Sequence, residues 1–228
     1  MAFHYSPKIV TDGLVLYFDA GNTKSYVSGS TSWNDISRGG NNGTLINGPT
    51  FNSANGGSIV FDFVNDLVDT GMTKIQIPTT SDVTFEVWAY PTNNLTNEEW
   101  LGISNINSVS PNYHNVAIGR YTDNKVYFNN YDGSEHRVYS DSAILNNWYH
   151  VVGIRRSNTN YLYVNGIQQT QTLPSGNPNI GSSITFKIGK IDTYYKGRFA
   201  QTKIYNRALS ATEVRQNFNA TKSRYGLL

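Results

Sequence analysis

Few side chains in these 228 residues could act on or hold another molecule, and their spacing excludes most kinds of chemistry. Cysteine is absent, which removes thiolate nucleophiles, disulfides and cysteine-held zinc together. The four histidines (4, 114, 136 and 150) show no His-x-x-x-His pairing that would turn two ring nitrogens toward one metal. His150 sits in an apolar run beside Val151 and Val152 and reads as a hydrogen-bonded structural residue. Neither a Gly-x-Ser-x-Gly elbow nor a Gly-x-x-x-x-Gly-Lys phosphate loop occurs, so no residue stands out as catalytic. Two groups remain. Asp62, Asn65, Asp66 and Asp69 form the compact acidic group that a calcium ion, which takes only oxygen ligands, would need; the alternative is a solvated turn whose Asp and Asn support the backbone. Trp33, Trp88, Tyr90, Trp100, Tyr113, His114 and Tyr131 are the rings that could stack on a sugar, with neighbouring amides for its hydroxyls. Trp88 and Tyr90 share one strand face with Glu86, a face that is either a concave binding surface or covered by loops or a helix.

The elements that must position these residues are mostly strands. Val83, Phe85, Val87 and Ala89 alternate with Thr84, Glu86, Trp88 and Tyr90, a period of two that predicts a β-strand. Further strands are expected at 14–19, 58–63, 100–104, 115–120, 125–129, 148–155, 160–164, 167–172, 184–189 and 197–205. All seven prolines fall between these runs, where a missing N–H breaks no ladder. Asn165-Gly166 predicts a tight hairpin because both residues accept positive φ, and Asp132-Gly133 predicts a second. Ser210-Ala-Thr-Glu213 is a capping box with Leu209 and Val214 as a hydrophobic staple, so a helix is expected from about 211 to 221, with Phe218 continuing its buried stripe. Residues 21–57, 91–99 and 105–114 read as long polar loops.

Only 15% of residues are charged, and 18 basic against 16 acidic side chains leave +2, too balanced for a surface that tracks phosphates. Arg155-Arg156 and Lys222–Arg224 are the only basic clusters and read as solvated ends, so no nucleic-acid partner is expected. The opening residues lack the basic start and apolar stretch of a secretory signal, and no apolar run approaches the roughly 20 residues needed to span a bilayer. Synthesis in the cytoplasm, without export and without a membrane partner, is the expectation.

Several stretches resemble laminin-G-like domains: Asn41–Leu45, Thr84–Trp88, Trp148-Tyr-His-Val-Val-Gly with Leu162-Tyr-Val-Asn-Gly166, Phe186–Gly189 and Gly197–Ser210, in an order that covers residues 13 to 220. The resemblance implies an all-β, two-sheet antiparallel jelly-roll sandwich of the concanavalin A type with one short C-terminal helix. An N-terminal arm (1–12) would precede the domain (13–228). Several such modules hold calcium at a sheet rim, which makes calcium the one cofactor to consider. Glycosidases of this fold carry Glu-x-Asp-x-x-Glu or Glu-x-Asp-x-Glu, which sets two carboxylates about 5 Å apart; no such run exists here. The opening Ser6–Asp19 is similar to structural proteins of large tailed bacteriophages. Together these resemblances imply a non-enzymatic virion component that decorates a capsid, tail or fibre and binds cell-surface glycans, self-association being open. Phe3, His4 and Tyr5 would then belong to an attachment arm. A calcium-dependent lectin or adhesin of cellular origin, extracellular or on the cell surface, is the alternative, and a glycoside hydrolase the remote one.

Overall fold

The computed structural model describes residues 7–92, 98–104, 115–191 and 193–228. Among them, two antiparallel sheets of nine and eight strands pack face to face. The first runs Ile167–Gln168, Thr159–Val164, Tyr149–Arg156, Val83–Pro91, Lys196–Tyr205, Ser58–Asp62, Thr50–Asn52. Leu14–Asp19 also pairs with Lys196–Tyr205, and Leu173–Pro174 with Thr159–Val164. The second runs Val138–Tyr139, Val126–Tyr131, Asn115–Arg120, Glu98–Ser104, Lys187–Ile188, Leu67–Asp69, Gly43–Ile46, Ser32–Trp33. This is the expected jelly-roll sandwich. Asn165 (φ 51°) and Gly166 (φ 77°) turn the predicted hairpin, since only residues tolerant of positive φ can match the strand twist there.

Alternation sends Val83, Phe85, Val87 and Ala89 inward, where they meet the other sheet. Phe85 packs edge-on against Phe128 and Phe186, and Phe18 stacks on Trp33 at 5.0 Å. Gly153 is required at its position: a Cβ would lie 2.3 Å from the Phe128 ring. The long loop expected over 21–57 instead contains the strands Ser32–Trp33, Gly43–Ile46 and Thr50–Asn52. Pieces of two to four residues between Asn and Gly carry too few alternations to show a period.

The first sheet buries its other face as well. The helix Ala211–Thr221 starts at the Ser210–Glu213 capping box, and Leu209 and Val214 pack with Val152, Ile154, Tyr163 and Tyr205. Phe218 differs from expectation: it is half-buried, and the second inward position is taken by Asn217. The final turn, Lys222–Tyr225, adds Tyr225, which stacks on Trp88 at 4.0 Å. Phe3, His4 and Tyr5 lie outside the described residues. The rest of the proposed arm is strapped to its own helix, because the Val10 N–H donates to Asn217 and the Lys8 carbonyl accepts from Gln216. No helix among the described residues is long and apolar enough to cross a membrane.

Candidate functional site

The ionisable residues that most resemble catalytic parts are sealed beneath the helix. Glu86 accepts from Lys203 Nζ at 2.8 Å and from Asn217 Nδ2 at 2.6 Å. His150 Nε2 faces the same carboxylate at 3.1 Å, off the hydrogen-bond direction, and its ring lies against Trp88. Burial alone would raise the Glu86 pKa, but the Lys203 charge, the neighbouring His150 and the Lys203 hydrogen bond outweigh it and hold the carboxyl down at about 2. The chain of contacts continues from Lys203 to Gln201, from Gln201 to Asp19 and from Asp19 to Arg224. Glu86 and His150 are fully buried and Lys203 is 1% exposed at its side chain, so the network joins helix to sheet and offers no open position to a substrate.

A second buried pair links two strands of the second sheet. Glu98, which the sequence placed in a loop, begins the strand Glu98–Ser104 and meets Arg120 at 2.9 Å. Its other oxygen accepts the Lys196 N–H. In the sequence Glu98 follows Asn93-Asn-Leu-Thr-Asn97, a polar run without alternation, which is why this strand start was not legible.

Most sequence-predicted stacking residues are corrected by burial. Trp33 and Trp100 are fully buried among the inter-sheet aromatics, and Trp88 is fully buried between His150, Phe218 and Tyr225, so none presents a plane to a sugar. Large rings belong to the core because burying them removes the most apolar area from water. Tyr90 and Tyr131 are half-buried, and Tyr113 and His114 lie outside the described residues. Among the described residues, the structure brings none of the expected rings together into one exposed surface.

The acidic group behaves as a turn. Asp66 accepts the Asp62 N–H, Asp62 accepts the Val64 N–H, and Asp69 accepts from Gly71 N–H and the Thr185 hydroxyl. Asn65 contributes its carbonyl to Asn47. Spent on backbone and hydroxyl donors, these carboxylates do not converge, and the described residues contain no group of three or more His, Cys, Asp or Glu able to hold a metal. The calcium expectation for Asp62, Asn65, Asp66 and Asp69 is therefore corrected. Burial, helped by the nearby Asp62 charge, raises the Asp66 pKa to about 6. An acid whose folded pKa exceeds its unfolded one stabilises the fold only while protonated, so this contribution is whole below about pH 4 and lost as pH rises past 6. Asp66→Asn keeps an acceptor for the Asp62 N–H and loses the charge. Its unfolding free energy should gain on the parent by about 1–2 kcal/mol between pH 4 and pH 7, as read by urea titrations at both pH values.

An uncharged recess survives at the rim of the sandwich, inside the stretch expected to form loops. It has a volume of about 390 Å³ and is walled by Tyr26 and Phe51, whose rings lie 5.4 Å apart, with Ser28, Thr31 and Thr50 around the mouth. Tyr26 is fixed by donating its hydroxyl to the Ser30 carbonyl and is only 4% exposed, so it forms the floor; Phe51 is half-buried, and Ser28, Thr31 and Thr50 are exposed. Two glycines at positive φ, Gly29 and Gly48, line it with no Cβ to fill the space. Tyr26 and Phe51 escaped the sequence reading because they are brought together by pairing distant in the chain. The signal present was an aromatic on each side of a Ser/Thr/Gly-rich run. A larger groove of about 630 Å³ runs along Asp12, Tyr17, Ile36 and Arg38, but its aromatic is engaged, with the Tyr17 ring under Lys203 and its hydroxyl on Asp19.

Comparison with known proteins supports the architecture. The structure superposes on Trypanosoma rangeli sialidase in complex with the inhibitor DANA with a TM-score of 0.68, at 16% identity, over 94% of this chain and 35% of that one. The binding domain of Paraclostridial Mosquitocidal Protein 1 gives 0.69 at 18% identity, over 94% and 55%. The HCR/D W1238A mutant gives 0.66 at 14% identity, over 92% and 51%. The chain thus spans between about a third and about half the length of these proteins, and at such identities the likeness is one of fold. No curated protein matches the sequence. The Laminin_G_3 family profile, described as the concanavalin A-like lectin/glucanases superfamily, matches residues 64–215, about two thirds of the chain. With its two-sheet sandwich and sheet-covering C-terminal helix, the chain belongs to the concanavalin A-like lectin/glucanases superfamily.

Proposed function

We propose that the protein is a non-enzymatic glycan-binding module and that the Tyr26–Phe51 recess receives a neutral sugar unit. The observation that carries this reading is the composition of the recess: the half-buried Phe51 ring, backed by the buried Tyr26, with exposed hydroxyls and no charged side chain. Apolar ring faces and hydroxyl partners are what a sugar presents and accepts. Glu86 and Glu98, the carboxylates nearest to a hydrolase in setting, are occupied by buried cations, which supports binding over hydrolysis. The likeness of the Ser6–Asp19 stretch to tailed-phage structural proteins supports a place on a virion, in contact with capsid, tail or fibre proteins and facing cell-surface glycans. Many copies on one particle would turn weak single-site binding into useful avidity.

A glycan array run on monomer and on intact particles tests the reading. Neutral glycans should bind the monomer weakly and the particle strongly. Phe51→Leu keeps apolar volume while removing the aromatic wall, and should weaken monomer binding about tenfold with a stability change below about 1.5 kcal/mol. Unchanged binding by this variant, or release of sugar from any glycan, would count against the proposal.

A further inference from the structure

We infer that the glycan site extends across the first sheet to Arg198 and that its ligand carries a carboxylate one or two sugar units beyond the unit in the recess. The inference rests on the proposed glycan-binding reading and deepens it. Strand register carries it: Thr50 pairs with Val60, Val60 with Arg198, and Arg198 with Tyr90. Residues paired across antiparallel strands share a face, so Thr50, Val60, Arg198 and Tyr90 form one row on the outer side of the sheet. Thr50, the first of the row, is on the lip of the recess; Phe51 beside it pairs with core-facing Ile59, so a ligand passes from the recess to the row over the short edge strand. Strands lie about 4.8 Å apart, so Arg198 sits about 10 Å from Thr50, roughly the reach of two sugar rings. Thr50 is exposed, and Val60, Arg198 and Tyr90 are half-buried, so the row is partly open to solvent.

The Arg198 guanidinium is held in place but not used. It stacks 4.1 Å over the Tyr90 ring and lies 5.4 Å from that of Trp148. Those rings pack edge to face with each other, and Trp148 is anchored by Tyr225 and by its indole N–H on Asn55. Arg120, Arg207 and Arg224 each meet a carboxylate, whereas Arg198 meets no hydrogen-bond acceptor among the described residues. A planar fork of N–H donors fixed by stacking has lost its conformational freedom in advance, the condition under which bidentate binding of a carboxylate is strongest. Lys196, two residues earlier on the same strand, is exposed on the same face and adds positive charge. The Asp62 carboxylate across from it is taken by the Val64 N–H.

The test is an array of matched oligosaccharides, each present in a neutral form and in a form bearing a terminal sialic or uronic acid, read with the wild-type protein, Arg198→Gln and Arg198→Lys. Wild type should favour the acidic members by tenfold or more, an advantage that shrinks at high salt. Arg198→Gln should abolish the preference while neutral binding persists and the thermal midpoint falls only slightly with the lost stacking on Tyr90, and Arg198→Lys should restore part of the preference. Equal binding of both forms by wild type, or an acidic preference that survives Arg198→Gln, would overturn the inference and leave the neutral recess standing. No binding to any member would overturn both.

Discussion

Glu86→Ala is expected to lower stability by about 3–5 kcal/mol, the range for breaking a buried ion pair from one side. The substitution leaves the Lys203 ammonium buried with no counter-charge, only Gln201 Oε1 and the Tyr17 ring beside it, and removes the carboxylate from Asn217 Nδ2, which keeps the Tyr205 hydroxyl. For a chain of this size, a shift of about 6–20 °C in thermal midpoint corresponds to that loss. Adding Lys203→Met should recover a large part of it, because the cost lies in the uncompensated charge and not in the missing contact. A double variant no more stable than the single one would show that the pair is energetically incidental. Acid acts on the same group. The folded pKa of Glu86 is about 2 against an ordinary 4.5, so its stabilisation is full above pH 5 and lost as pH falls toward 2. Glu213, held down to about 2 by hydrogen bonds from Arg207 that outweigh its burial, and by those from Ser210, loses its share over the same range. The parent should therefore lose stability steeply below pH 4, and the Glu86→Ala variant less steeply.

Trp88→Ala should cost a similar amount, about 3–5 kcal/mol, by a different route. The indole is fully buried, lies between Tyr225 at 4.0 Å and Phe218 at 5.9 Å, and donates to the Thr221 hydroxyl at 2.9 Å. Its loss removes the surface on which the end of the helix rests, so residues near 218–227 should exchange their amide hydrogens faster while the inter-sheet core keeps its protection. Phe218→Ala, whose ring is only half-buried, should cost less than Trp88→Ala. Uniform loss of protection across both sheets would mean that the helix and sandwich unfold as one unit.

Local patterns made much of this fold legible. The capping box, the staple and the Asn165-Gly166 turn depend on neighbours within a few residues, and each appears as expected. The strand at Val83–Pro91 was legible too, and cover by loops or a helix was one of the two readings of its outer face, the one the structure bears out. Alternation could not choose between the two readings for Glu86, Trp88 and Tyr90; partners 117 and 131 residues away bury the first of them. A period of two reports two faces without saying whether the second is wet. For the same reason the recess was invisible: Tyr26 and Phe51 are meaningful only after two sheets bring their rims together. Phe61 at a 5.3 Å ring distance from Phe199 makes the same point inside the core.

The outermost strands of both sheets are only two or three residues long: Ile167–Gln168 and Thr50–Asn52 in one, Val138–Tyr139 and Ser32–Trp33 in the other. The longer Leu14–Asp19 strand has its open side occupied, its N–H and carbonyl groups meeting Asp35, Ser25, Ile36 and Asn41 from the adjacent segment. An unpaired strand edge is a template on which another chain can polymerise, and among the described residues these templates are short or already blocked. Among the described residues, then, no long strand edge is left on which a second copy could extend either sheet, and contacts between crowded copies would fall to side-chain surfaces.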